Sequence, residues 1–337
     1  MKAGKTETMQ AAVLRGELQL AQVPVPAPGP GEVLVAVEAF GINNAEILQC
    51  AGAMPAPPGG IPGLECVGTV VDAGSGVHRW QPGDRVAVLT RAGAYAEYVC
   101  VDEDACLAVG ELDPHTAAAV PEAAATAWWN LKHRASLQPG ERVLIHGAAG
   151  GVGTMAVQVA RAMGAHVIGT ARGAGKVGVC TDLGCHDVID YGCTDVFAAL
   201  RQRFPDGVDV IVDNQGAATL RDNIAALAPL GRLVVVGVAS GTETTVDLGQ
   251  LMAGGVEVSS SSLGRLDDAL RAAICREVET EVLPRVCDGT IRPVIDQVFT
   301  LDDIAAAHQR FSAPDRIGKV IVTVPAYISK KDVGQRN

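Results

Sequence analysis

Between Gln10 and Val101 the apolar positions come in short runs punctuated by glycine and proline: AAVL, PVPAPGPGEVLVAVEAFGI, VGTVVDAGSGV, QPGDRVAVL and GAYAEYVCV. Runs of this length, bounded by turn residues, predict a compact β-rich module. Asp113 to Arg134 is alanine-rich and helical in period. From Glu141 the pattern changes to strand, glycine turn and helix, repeated at intervals of about 20 to 25 residues. It predicts strands at 142–147, 166–170, 187–190, 208–213, 232–237 and 256–260, with helices at 152–163, 174–184, 194–203, 218–228 and 265–288. Buried, Val/Ile-rich strands alternating with helices predict a parallel, doubly wound sheet. VIDQVFTL, DIAAAHQRF and GKVIVTVP break the repeat and are expected to return to the first module. The domains expected are therefore 1–130 with 289–337, β-rich, and 131–288, doubly wound.

Composition narrows what such a chain does. A length of 337 residues fits two domains. The net charge of −11 is not gathered in any block, which argues against nucleic acid as a main partner. The start, MKAGKTETMQ, has no apolar h-region and no run of 18 apolar residues occurs, so no signal peptide or membrane span is expected. The nine cysteines form no CxxC pair, and free thiols in the cytoplasm are the simpler reading. A frayed N-terminus and a disordered tail from Ala326 are expected.

RVLIHGAAGGVG, residues 142–153, is a buried strand running into glycines. The following TMAVQVARAMG completes a helical face of Val152, Ala156, Val159, Ala160 and Met163. Gly150, Gly151, Val152 and Gly153 are the expected dinucleotide contacts. Glycines let the backbone approach a pyrophosphate, and first-turn N–H groups donate to it. Of the GxGxxG pattern, Gly150 and Gly153 keep their places and Ala148 replaces the first glycine. A second strand beginning at His166 arrives at the distance that a βαβ unit needs. At its end, where NAD enzymes place an acid on the ribose, the chain reads TARGAGK, 170–176, with none. Arg172 and Lys176 suit a 2′-phosphate instead, so NADPH is expected over NADH. The plainer alternative makes both solvated loop charges.

With IPGLECVGTV, AAVPEAAATAW and the segments already quoted, the chain resembles the medium-chain dehydrogenase/reductase superfamily over nearly its full length. Within it the resemblance is to the zinc-free quinone oxidoreductase branch. It implies a GroES-like β-rich catalytic domain, a Rossmann domain, an active site in the cleft and a homodimer. Zinc-dependent relatives have a Cys where this chain has Asn43. They have a His in the triplet that here reads Gly63-Leu64-Glu65, and a four-cysteine lobe that DRVAVLTRAGAY passes over. No metal is implied.

By position, Lys176 and Tyr191 match contacts of the 2′-phosphate, Asn214 and Val238 match residues near the ribose and nicotinamide, and Thr126 matches a threonine beside the nicotinamide amide. Asn43 matches an active-site asparagine whose amide donates to a substrate oxygen as charge develops. A structural turn residue is the alternative. Glu46 is either a polar wall of the substrate site or a helix N-terminal acid. Met54 stands where some relatives have a tyrosine, and it lines an apolar pocket or packs its own loop. Trp128, next to Trp129, is expected at the substrate or in the interdomain core. His146 reads as a buried structural histidine.

The expected activity is NADPH-dependent, zinc-independent reduction of a small-molecule quinone or conjugated carbonyl. The rival is an alkene reductase, which needs a proton donor such as Tyr95 or Tyr98. A third reading is a non-catalytic NADPH-binding sensor.

Overall fold

The computed structural model describes residues 7–325; the termini expected to be frayed or disordered lie outside them. The described chain packs as two compact units. One comprises the residues up to Glu122, Arg271–Cys287 and the chain from Ile295; the other comprises Ala123–Leu270 with Asp288–Val294.

In the first unit an antiparallel hairpin, Thr8–Arg15 with Glu17–Pro24, accompanies a seven-stranded sheet. Its hub is Glu32–Gly41, which pairs antiparallel with Lys319–Thr323, Glu65–Ala73 and Tyr98–Asp102. Val33, Val35, Val37 and Phe40 from the hub, Val86 and Val88 from Arg85–Leu89, and Ile304 and Ala307 from the helix Ile304–Phe311 share one core. Burying each large aliphatic chain there contributes about 1.5 to 3 kcal/mol.

This pairing decides where polar residues enter the core. Ile42 N–H donates to the Val320 carbonyl at 3.0 Å, which sets Lys319 beside Ile42 and Asn43. Phe40 faces Cys66 across the ladder, which brings Glu65 to Gly41. A Cβ on Gly41 would stand 2.3 Å from Glu65 Oε1, so glycine leaves the room that the carboxylate fills. The returning strands therefore join the first module, as the broken repeat predicts.

The second unit holds a six-stranded parallel sheet. Its spatial order is Asp187–Asp190, His166–Ala171, Arg142–Ile145, Val208–Asp213, Leu227–Val235 and Glu257–Ser260. This is the dinucleotide-binding order, in which the chain reverses direction across the sheet beside the first strand. The short helix Leu248–Gly254 escapes the sequence pattern because it is only seven residues long and carries two glycines; of its apolar residues Leu251 packs against the sheet core while Leu248 and Met252 are exposed.

The predicted helix 265–288 is observed as Asp268–Glu277, a π-turn segment Val278–Val282 and Leu283–Cys287. Its packing corrects the expected boundary at 288, because Arg271–Cys287 belongs to the first unit. Arg271 donates to the Leu89 carbonyl at 3.2 Å, Ala108 N–H donates to Glu279 Oε1 at 2.8 Å, and Arg79 pairs with Glu279 at 2.8 Å. Helical period shows that a segment is amphipathic and is silent on which sheet receives it. Among the described residues no helix is long and apolar enough to cross a membrane.

Candidate active site

In the second unit the strand Arg142–Ile145 ends in a turn at His146 and Gly147, and the 12-residue helix Gly151–Ala162 begins after Gly150. Gly147 adopts φ +63°, a conformation that favours glycine, and its N–H donates to Thr170 Oγ1 at 3.2 Å. The next N–H, of Ala148, donates to the Thr170 carbonyl at 3.0 Å, so the loop is pinned to the end of the second strand. Gly153 lies so close beneath that a Cβ would stand 2.2 Å from the Gly147 carbonyl oxygen. The N–H groups of the helix's first turn have no acceptor within their own helix.

Asn214 comes to the same end of the sheet, its Nδ2 at 2.3 Å from where a Cβ on Gly147 would be. Val238 is there too, its Cα 2.9 Å from a Cβ placed on Gly216. His146 is buried beneath the loop, its ring Nε2–H donating to Asn223 Oδ1 at 2.8 Å and its Nδ1 lying 3.3 Å from Thr170 Oγ1. Burial holds it below the usual histidine range, so it is a neutral support of the loop.

At the neighbouring strand end, Tyr191 is exposed and its N–H donates to the Ala171 carbonyl at 3.0 Å. Arg172 is exposed, with its Cγ 3.2 Å from a Cβ placed on Gly192. Lys176 lies in the first turn of the helix Ala174–Asp182. An acid does stand here, on the third strand and not the second. Asp190 Oδ1 accepts from Gly173 N–H at 3.0 Å and Gly192 N–H at 2.8 Å, and these bonds hold its carboxyl below the usual range.

The other expected cluster forms within the first unit. Asn43 precedes the helix Asn44–Cys50, and Glu46, at its third position, reaches back so that Oε2 accepts from Asn43 N–H at 3.0 Å. Glu46 Oε1 accepts from Leu64 N–H at 3.0 Å. The Asn43 carboxamide lies between Lys319 and Glu65. Its Oδ1 accepts from Lys319 Nζ at 2.6 Å and its Nδ2 donates to Glu65 Oε1 at 3.0 Å. Lys319 also donates to the Ile42 carbonyl at 3.2 Å and is ion-paired with Glu65, whose second oxygen accepts from Glu122 N–H at 2.9 Å. Glu46 and Glu65 are fully buried, while Asn43 keeps 8% of its surface exposed. One N–H of the Asn43 amide has no partner among the described residues.

Two carboxyls and one ammonium thus share a dry site. Burial, against the opposing pull of backbone N–H groups and Lys319, raises Glu46 from 4.5 to about 8. A raised carboxyl pKa makes the folded state hold a proton that the unfolded chain has released. That contribution to stability is full below about pH 4.5 and is lost as pH rises through about 8. Glu46→Gln cannot titrate. The stability advantage of the native protein over this variant should therefore shrink between pH 5 and 8, at a slope approaching about 1.4 kcal/mol per pH unit. Urea unfolding at stepped pH measures it, and a pH-independent difference would contradict the assignment.

Two family models match separate stretches of the chain. A family model described as alcohol dehydrogenase GroES-like domain matches residues 29–111, and one described as zinc-binding dehydrogenase matches 151–278. A quinone oxidoreductase of Pseudomonas aeruginosa is 35% identical over 298 residues, covering 86% of this chain and 90% of that protein. The chain belongs to the medium-chain dehydrogenase/reductase superfamily, in its quinone oxidoreductase branch.

A synaptic vesicle membrane protein VAT-1 homolog of Danio rerio is 31% identical over 314 residues, or 87% of this chain; the chain spans 64% of that relative's length. Escherichia coli quinone oxidoreductase, solved in complex with NADPH, superposes with a TM-score of 0.85 at 28% identity, covering 94% of this chain and all of that one. As a member of this branch, the protein is an oxidoreductase of the quinone oxidoreductase type.

For this medium-chain reductase the remaining sequence candidates sit as follows. Thr126 is half-buried, its carbonyl accepting from Asn130 Nδ2 at 2.7 Å, and Trp128 is buried on the same helix, Pro121–Trp128. Trp129 stacks on His133 at 5.1 Å. Met54 is exposed on its loop. Glu46 takes the helix-acid role of its two readings, with no surface left for a ligand. Tyr95, weighed as a proton donor, is fully buried, stacked on Phe40 at 4.4 Å with Oη 3.2 Å from His308 Nε2. Lys319 and Glu65 were missed. Both lie in quoted motifs, GKVIVTVP and IPGLECVGTV, and a lysine opening the apolar strand KVIVT is the one signal available for it.

Proposed function

We propose that the protein is an NADPH-dependent, zinc-independent reductase of quinones or similarly conjugated carbonyls. The observation that carries this reading is the Asn43 carboxamide. It stands where zinc relatives have a ligand cysteine, is held between two charged groups, and has one N–H left over. Leu64 in place of the ligand histidine supports a site that works without metal.

The chain's residues fit NADPH. The loop from Gly147 to Gly153 leaves no room for a Cβ on Gly153, unpaired first-turn N–H groups suit a pyrophosphate, and Arg172 and Lys176 suit a 2′-phosphate. Asn214, Val238, Tyr191 and Thr126 complete the proposed contacts. When bound, the cofactor supplies the hydride. The protein's contribution is positional and electrostatic. Asn43 donates its free N–H to the substrate oxygen as that oxygen gains negative charge. A reduced quinone takes its protons on oxygen, from solvent, so no carbon acid is needed. Alkene reduction needs a donor at carbon, and of the two tyrosines weighed for it Tyr95 is fully buried while Tyr98 is half-buried.

The reading extends to a homodimer. Glu257–Ser260 is an edge strand with Val258 exposed, and Leu230, Leu248 and Met252 are exposed near it, a combination that a second copy would cover. A monomer mass in sedimentation would overturn this. Nine free thiols fit a reducing compartment, the cytoplasm.

The reading is tested on protein dialysed exhaustively against a chelator. Turnover of a quinone with NADPH should be retained and should exceed that with NADH. Activity that only zinc restores would contradict it, and NADPH binding without turnover of any acceptor would favour the sensor.

A further inference from the structure

The Asn43 amide is symmetric in shape but not in charge. In one orientation it presents a donor to an incoming carbonyl, and in the other it presents a repelling oxygen. Packing alone barely distinguishes the two, because the amide N and O are nearly the same size.

Ionised neighbours do distinguish them. Lys319 has three N–H groups and three acceptors: the Ile42 carbonyl at 3.2 Å, Asn43 Oδ1 at 2.6 Å and the Glu65 carboxylate. Glu65 Oε1 accepts from Asn43 Nδ2 at 3.0 Å, while its Oε2 is held by Glu122 N–H at 2.9 Å. Turning the amide over would set its oxygen against a carboxylate and its NH₂ against an ammonium, in a site where charge is little screened. All three side chains are at least nine-tenths buried, with Asn43 the most exposed at 8%.

We propose that Lys319 and Glu65 are positioning residues for reduction, an ion pair that locks the Asn43 carboxamide with its spare N–H presented to the substrate oxygen. This rests on the role given to Asn43. Lys319 reaches the site because its strand pairs with Glu32–Gly41, and Glu65 because Gly41 vacates the space. Donors fixed before the reaction cost no reorganisation during it. The pair therefore acts on kcat and leaves KM nearly unchanged.

The test is a double-mutant cycle read by steady-state kinetics with NADPH and a quinone. Lys319→Met should lower kcat roughly tenfold with KM within about twofold, and Lys319→Arg should recover most of the loss. In the Asn43→Ala background, adding Lys319→Met should produce a loss far smaller than tenfold, because the donor that it orients is gone. Removing one partner of a buried pair is destabilising. The cycle is therefore repeated with the charge-free pair Lys319→Met/Glu65→Gln, with melting temperatures measured alongside.

Losses that multiply in the cycle would overturn the positioning role, as would loss of kcat that follows melting temperature alone. An unchanged kcat in Asn43→Ala would instead overturn the reading on which it rests. A large effect of Asn43→Ala with none from Lys319→Met would remove only the positioning role.

Discussion

Gly153→Ala is expected to weaken NADPH binding by roughly 10- to 100-fold. The added Cβ would stand 2.2 Å from the Gly147 carbonyl oxygen and 2.9 Å from both Ala148 C and Cα. All three are backbone atoms of the cofactor loop, so only displacement of the loop relieves the overlap. Overpacking of this kind costs about 1 to 3 kcal/mol, which sets the expected range. Gly178→Ala, on the neighbouring helix with nothing within 4 Å of its Cβ, is the matched control and should bind as the native protein does. Fluorescence titration with NADPH checks both, and a native dissociation constant for Gly153→Ala would mean that this loop does not hold the cofactor.

Asn43→Ala should carry the largest effect on turnover. Deleting one preorganised donor to a developing oxyanion costs about 10²- to 10³-fold in kcat. KM should change little, because the donor strengthens its bond only as charge builds on the oxygen. Some stability will also be lost, since Lys319 loses an acceptor inside a dry site. Thermal melting separates that loss from the kinetic one, as a folded but slow enzyme is the expected outcome. A kcat within threefold of native would return Asn43 to the plain role of a residue that shapes the turn before its helix.

These two residues also mark how much the sequence disclosed. Gly153 was legible because a glycine loop between a Val/Ile strand and an amphipathic helix constrains the backbone locally, and the six parallel strands followed from the same short-range grammar. Asn43 was legible by its position in a motif. Its partners were not, because Glu65 is 22 residues away and Lys319 is 276 residues away in sequence, and only the antiparallel register around Glu32–Gly41 joins them. Glu46 shows a subtler gap. Its place in the first helical turn was visible, whereas its complete burial and raised pKa depend on what packs above that turn. Likewise the helical period of 265–288 was plain, and its assignment to the first unit was not, since Arg271 and Glu279 find partners at Leu89 and Ala108.

The most direct test of the account is NADPH oxidation by metal-free protein, followed by the loss of nicotinamide absorbance against paired quinones and enones of matched size. The account predicts turnover of an ortho- or para-quinone, with the matched enones slow. Turnover of the enones alone would contradict it and place the chemistry in alkene reduction, with a proton donor other than the buried Tyr95.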